Sequence, residues 1–228
     1  MARGRLFGIG LALLLGALPA AAQMPALVAG MLDNGLADAE QRCAYTRFTD
    51  SDSGTRTERF DPALPGDPWT LLSMDGAPPT PEELQRYARK AEERADRRHP
   101  LAFDLRSMVD PEGWQLRAET HAEAVFEFRL RPNEDLGERL VDKVRGTLVV
   151  DRQRQQPVHI RIENVEPAYV APLVRIARYA QDLRFRWEEQ LGVSVLANVE
   201  THRRGRALGL KSLHQDKQVR YFDYECRR

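Results

Sequence analysis

The chain has 228 residues, 34 of them basic and 34 acidic, with 42% hydrophobic and 30% charged side chains. That balance excludes a general nucleic-acid binder, which needs a clear basic excess, and it describes an ordinary globular chain without low-complexity segments or internal repeats. Two cysteines without a C-x-x-C, and five scattered histidines (His99, His121, His159, His202 and His214), offer little for thiol redox chemistry or for zinc.

The first 22 residues read as a secretory signal. Arg3 and Arg5 supply the charged start, Leu6 to Leu18 an apolar run too short for a comfortable membrane span, and Ala20-Ala21-Ala22 a small-residue cleavage site. Cleavage removes two arginines and no acid, which leaves a slight acidic excess. The expected product is a periplasmic protein that does not span the membrane, with residues 23–228 forming one domain. In that setting Cys43 and Cys226 are expected to pair, the alternative being two buried thiols.

The mature N-terminus has helical spacing over 26–41, with Leu27, Val28, Met31, Leu32 and Leu36 on one side. Two strand patterns, C-A-Y-T-R-F-T-D and T-R-T-E-R-F-D, then flank S-D-S-G and predict a hairpin. W-T-L-L-S-M predicts a third strand ending at the turn Asp75-Gly76. Thr80-Pro81-Glu82-Glu83 has the residues of a capping box and opens a helix over 80–98. Its apolar stripe is thin, which suits either a solvated surface helix or a loosely held cover.

From Gly113 onward the period becomes two. Trp114, Leu116, Phe126, Phe128, Leu148, Val150, Ile160, Ile162, Phe185 and Trp187 alternate with charged or polar residues, so one sheet face is apolar and the other faces water. The turns are expected at 131–133, 151–156, 190–192 and 214–217. The stretch G-R-A-L-G-L-K-S, Gly205 to Ser212, resembles a phosphate-binding loop only superficially. Three residues instead of four separate its glycines, and Leu210 stands before Lys211. It is expected to lie in a strand over 207–213 that pairs with 218–226 across His214-Gln215-Asp216-Lys217.

The order of helix, long antiparallel meander and inserted helix resembles the periplasmic lipoprotein carrier superfamily, the LolA/LolB-like half-barrels. The likeness is carried by M-L-D-N-G-L-A-D-A-E-Q-R-C-A-Y-T-R-F, V-R-G-T-L-V-V-D, P-V-H-I-R-I and R-G-R-A-L-G-L-K-S ending in V-R-Y-F-D-Y. The resemblance implies an α+β fold in which helices cover the apolar concave face of a curved, half-open antiparallel barrel and enclose a cavity for acyl chains. The ten apolar residues named above are then the expected ligand-binding lining, because the helices available to cover them are few and one is mostly alanine and charge.

Two alternatives stand beside that reading. The same residues make a closed core in an envelope interaction module, whose arginines Arg117, Arg129, Arg145, Arg161, Arg184 and Arg186 meet an acidic partner or anionic headgroups. A cryptic hydrolase is the second, but no Gly-x-Ser-x-Gly elbow, His-Glu-x-x-His or oriented histidine supports one. No catalysis, metal or cofactor is expected, and the expected partner is a lipid or acylated ligand, with another envelope protein as a second.

Overall fold

The computed structural model describes residues 24–33, 43–90, 105–131, 141–208 and 211–226. The expected leader lies outside these residues, as do the expected turn beyond Arg131 and the later parts of both expected helices. Three helices are described, α1 (Ala26–Asp33), α2 (Pro81–Arg89) and α3 (Leu105–Met108). The strands are β1 (Cys43–Ser51), β2 (Gly54–Phe60), β3 (Trp69–Met74), β4 (Gln115–Glu119), β5 (Glu123–Phe128), β6 (Val144–Asp151), β7 (Gln156–Asn164), β8 (Ala168–Ala171), β9 (Val174–Glu188), β10 (Val193–Ala207) and β11 (Lys211–Cys226).

All eleven strands form one antiparallel sheet in the order β3-β2-β1-β11-β10-β9-β7-β6-β5-β4, with β8 pairing on β9 beside that path. The last strand returns to the first, so β1 and β11 lie inside the sheet, third and fourth from the β3 edge. Cys43 and Cys226 are directly opposed there and form a disulfide across 183 positions of sequence.

Local chemistry explains the tight connections. Ser51 pairs with Gly54, so Asp52-Ser53 is a two-residue hairpin loop, as S-D-S-G predicts. Asp75 and Gly76 both take positive φ, 48° and 78°, the requirement of the two-residue turn that matches strand twist. Asp75 also accepts from the Thr55 amide at 2.7 Å, which ties this turn to β2. At α2 the Thr80 hydroxyl accepts from the Glu83 amide while the Glu83 carboxylate accepts from the Thr80 amide, the reciprocal cap that the sequence predicts. None of the α2 side chains is buried.

One expectation is corrected. The sequence places a turn at His214-Gln215-Asp216-Lys217 between strands over 207–213 and 218–226, but the turn residues lie inside β11, opposite Arg204, Arg203, His202 and Thr201, and Lys211, Ser212 and Leu213 pair with Ala207, Arg206 and Gly205 of β10. The chain reverses instead between Ala207 and Lys211, with Leu208 in the left-handed region at φ 53°. Residues that read as turn formers hold a strand here because Asp216 is satisfied across the ladder, by Arg204 and His202.

The core lies on one face of the sheet. Buried side chains of β1, β2 and β3 (Tyr45, Phe60, Trp69), of β5 to β7 (Phe128, Leu148, Ile160) and of β10 and β11 (Leu196, Tyr221) belong to one cluster with Val28 and Met31 of α1 and Leu105 of α3. Irregular pairing helps to fill it. Tyr221 and Tyr224 are three apart, which a regular strand would place on opposite faces. The ladder shift near Ala44 and the positive φ of Asp223 bring both rings to Tyr45, at 5.8 and 5.4 Å between centroids.

Candidate functional site

The candidate site is this apolar face together with the polar ground at its end. Of the ten residues expected to line it, Phe128, Leu148, Val150 and Ile160 are fully buried, and Phe126, Ile162 and Trp114 nearly so. Ladder pairs bring Phe126 opposite Leu148 and Leu148 opposite Ile160, so these three cross the sheet in one row. Phe128 lies over Gly146, whose position would not admit a Cβ without striking the phenyl ring. Phe185 is partly buried against the cluster. Trp187 is partly buried but does not belong to the cluster, and the Arg154 guanidinium lies 5.0 Å from its ring centroid. Leu116 is opposite Phe126 but 53% exposed, because β4 is the edge strand and no residue of it is buried.

Sequence reading missed the other half of the face. Tyr45 packs on Phe60 at 5.0 Å and on Trp69 at 5.8 Å, and both lie in strands whose existence was legible. The signal was the alternation in C-A-Y-T-R-F, where Cys43 and Tyr45 fall on one side. It is masked because the same side continues into Arg47 and Ser51.

That continuation gives the face its polar end. Arg47 lies opposite Glu58, Thr49 opposite Arg56 and Val219, and Ser51 opposite Lys217, so these residues share the face of Tyr45 and Tyr221. Glu58 is fully buried. Its Oε2 accepts from Arg47 at 2.6 Å and lies 3.0 Å from Arg56 Nε, while its Oε1 accepts from the Tyr87 hydroxyl at 2.9 Å. Arg47 also lies over Trp69 at 4.0 Å, where the indole face favours a cation. The approach of Arg56 Nε to Glu58 is poorly angled, and that buried N–H has no hydrogen-bond acceptor. Lys217 makes no hydrogen bond or ion pair among the described residues. Burial first, then the charges of Arg47 and Arg56, hold its ammonium pKa below the ordinary value. Three cations therefore meet one carboxylate at the boundary of the apolar surface.

The opposite face is charged and internally paired. Asp182 accepts from Arg161 at 2.8 and 3.0 Å and lies 2.9 Å from His159, and Arg161 also reaches Glu163. Arg117 pairs with Glu127, Arg129 with Asp110 and Arg186 with Glu188, so much of the arginine row is already engaged. A cleft of about 420 Å³ opens beside β11, with Asp50, Asp52, Glu200, His202 and Asp216 on its wall. Asp216 is bidentate to Arg204 at 2.8 and 2.9 Å and contacts His202 and His214. Arg204, then His202, hold its carboxyl well below the usual carboxylate range, which suits a fixed acceptor and not a proton-transfer group. Among the described residues no group of three or more His, Cys, Asp or Glu is placed to hold a metal ion, and no helix is long and apolar enough to cross a membrane.

Comparison with known protein families, with curated proteins and with solved structures finds no match for this chain.

Proposed function

We propose that the protein is an exported carrier that takes up an acyl chain, or a similar apolar ligand, against the apolar face of its sheet. The observation that carries this reading is a single open antiparallel sheet whose two halves, with α1 and α3, contribute to one continuous apolar cluster. In the half-barrel arrangement the ligand takes the place of Val28 and Met31 of α1 in the cluster that also holds Phe128, Leu148 and Ile160. Its methylenes then contribute about 0.8 kcal/mol each. The movable part on the other side is α2, which buries no side chain and is tied to the sheet by the Tyr87–Glu58 hydrogen bond. An amphiphile would place its charged end beside Arg47, Arg56 and Lys217, where cations outnumber carboxylates.

One observation favours a second reading. Phe128, Leu148, Val150 and Ile160 are covered completely, as in the closed core of an envelope interaction module. The two readings separate on uptake by delipidated, folded protein. A carrier binds a fluorescent fatty-acid probe saturably, with competition by phospholipid or lipopeptide and a change in Trp114 or Trp187 emission. A closed core takes up none.

A further inference from the structure

The far end of the three longest strands carries features that the folded protein does not itself use. β7 pairs with β9 only as far as Ala180, and β1 pairs with β11 only as far as Lys217. Beyond those points β9, β10 and β11 continue as a ribbon, joined on one side by the short β8. Val174 lies opposite Ala207 and Ala207 opposite Lys211, so the β8–β9 and β10–β11 hairpins end side by side. The Leu208 amide donates to the Leu173 carbonyl at 2.8 Å and joins the two tips.

Each tip presents a leucine in a conformation that suits glycine. Pro172-Leu173 forms the reversal between β8 and β9, and Leu173 has φ 69°; Leu208 has φ 53°. A branched side chain rarely adopts this region, because its Cβ crowds the following carbonyl. Both leucines are nonetheless exposed, at 63% and 68%, with Tyr169 and Val170 exposed beside them on β8. Backbone strain and exposed apolar surface are two costs that bring no packing within the chain.

Charge behind the tips has a single sign. Residues 167–181 and 203–215 contain no Asp or Glu. Arg175, Arg203, Arg206 and Lys211 are exposed there and form no ion pair among the described residues. Arg175 and Arg206 are directly opposed in the ladder, an arrangement that repels. Elsewhere on the sheet surface Arg117, Arg129, Arg161 and Arg186 are each paired to an acid.

We propose that the paired tips of the β8–β9 and β10–β11 hairpins are a docking site for a membrane surface that contains anionic lipid. Leu173, Leu208, Val170 and Tyr169 enter the headgroup boundary, and Arg175, Arg203, Arg206 and Lys211 meet the phosphates behind them. A projecting end with apolar residues foremost suits a lipid surface better than it suits an acidic protein, which calls for a charged concavity or a flat patch. The site does not depend on the carrier reading, since it lies beyond the apolar cluster and needs no cavity.

The test uses sedimentation of the purified protein, its N-terminus determined, with vesicles of phosphatidylcholine alone or containing phosphatidylglycerol. Binding to the anionic vesicles is expected, falling as salt rises. Leu173→Gly with Leu208→Gly relieves the left-handed strain, so the thermal midpoint holds or rises while vesicle affinity falls about tenfold or more. Arg175→Gln with Arg206→Gln weakens the preference for anionic lipid without loss of folding, since Arg203 and Lys211 remain. No sedimentation with anionic vesicles at low salt overturns the proposal and leaves the tip as a contact for an acidic protein. Unchanged affinity in the folded glycine variant overturns it as well, and equal binding of the unaltered protein to both vesicles overturns the anionic requirement.

Discussion

The Tyr87 hydroxyl of α2 donates to Oε1 of the fully buried Glu58 in β2 at 2.9 Å, across 29 positions of sequence. Because α2 buries no side chain, this bond is its clearest tie to the sheet. Tyr87→Phe leaves a buried carboxylate oxygen without that donor, at a cost of about 1–3 kcal/mol. Denaturant unfolding should show the loss, and amide exchange should rise over residues 81–89 more than in β5 to β7. Unchanged exchange in α2 would mean that other contacts hold the helix.

Lys217 is held with its charge beside Arg47 and Arg56. Its folded-state pKa lies below the ordinary value of 10.5, so near neutrality the protonated side chain opposes folding. The unfolded chain binds more protons between the folded pKa and 10.5, so stability rises with pH across that window. Lys217→Met should raise the thermal midpoint at pH 7, and the advantage over the unaltered protein should shrink as pH approaches 10.5. A lower midpoint at pH 7 would show that the ammonium is compensated.

The Cys43–Cys226 bridge closes nearly the whole described chain. It should contribute up to about 5 kcal/mol in the chain-entropy picture, with less expected where the reduced state keeps structure. Without reductant the protein should migrate faster on a denaturing gel than with it, and Cys43→Ser should abolish the difference. Identical migration would exclude the bridge in solution.

Gly146 admits the Phe128 ring where a side chain would stand. Gly146→Ala should destabilise by about 1–3 kcal/mol through overpacking, and Phe128→Leu in the same chain should recover part of that loss. Equal effects of the alanine in both backgrounds would disprove the contact.

Much of the sheet was legible from period-two alternation, and its inner face from Phe126, Phe128, Leu148 and Ile160. The capping box at Thr80 and the hairpin at Asp52-Ser53 were legible because they depend on neighbours in sequence. The β10–β11 reversal was not, because Asp216 is held in its strand by Arg204 and His202, partners that only the ladder supplies. The polar end of the site was hidden for a related reason. Arg47, Glu58 and Lys217 look like ordinary exposed charges until pairing of β1 with β2 and β11 places them on the inner face. Leu116 shows the converse, since alternation gave its face but not its position on an edge strand.

The carrier account is tested most directly by titrating delipidated, folded protein with a fluorescent fatty acid and, in parallel, with the matching uncharged long-chain alcohol. The account predicts saturable uptake of both, tighter for the carboxylate, with competition by phospholipid and with the carboxylate preference reduced in Lys217→Met. Failure of both probes to bind protein whose disulfide and thermal transition are intact would contradict it.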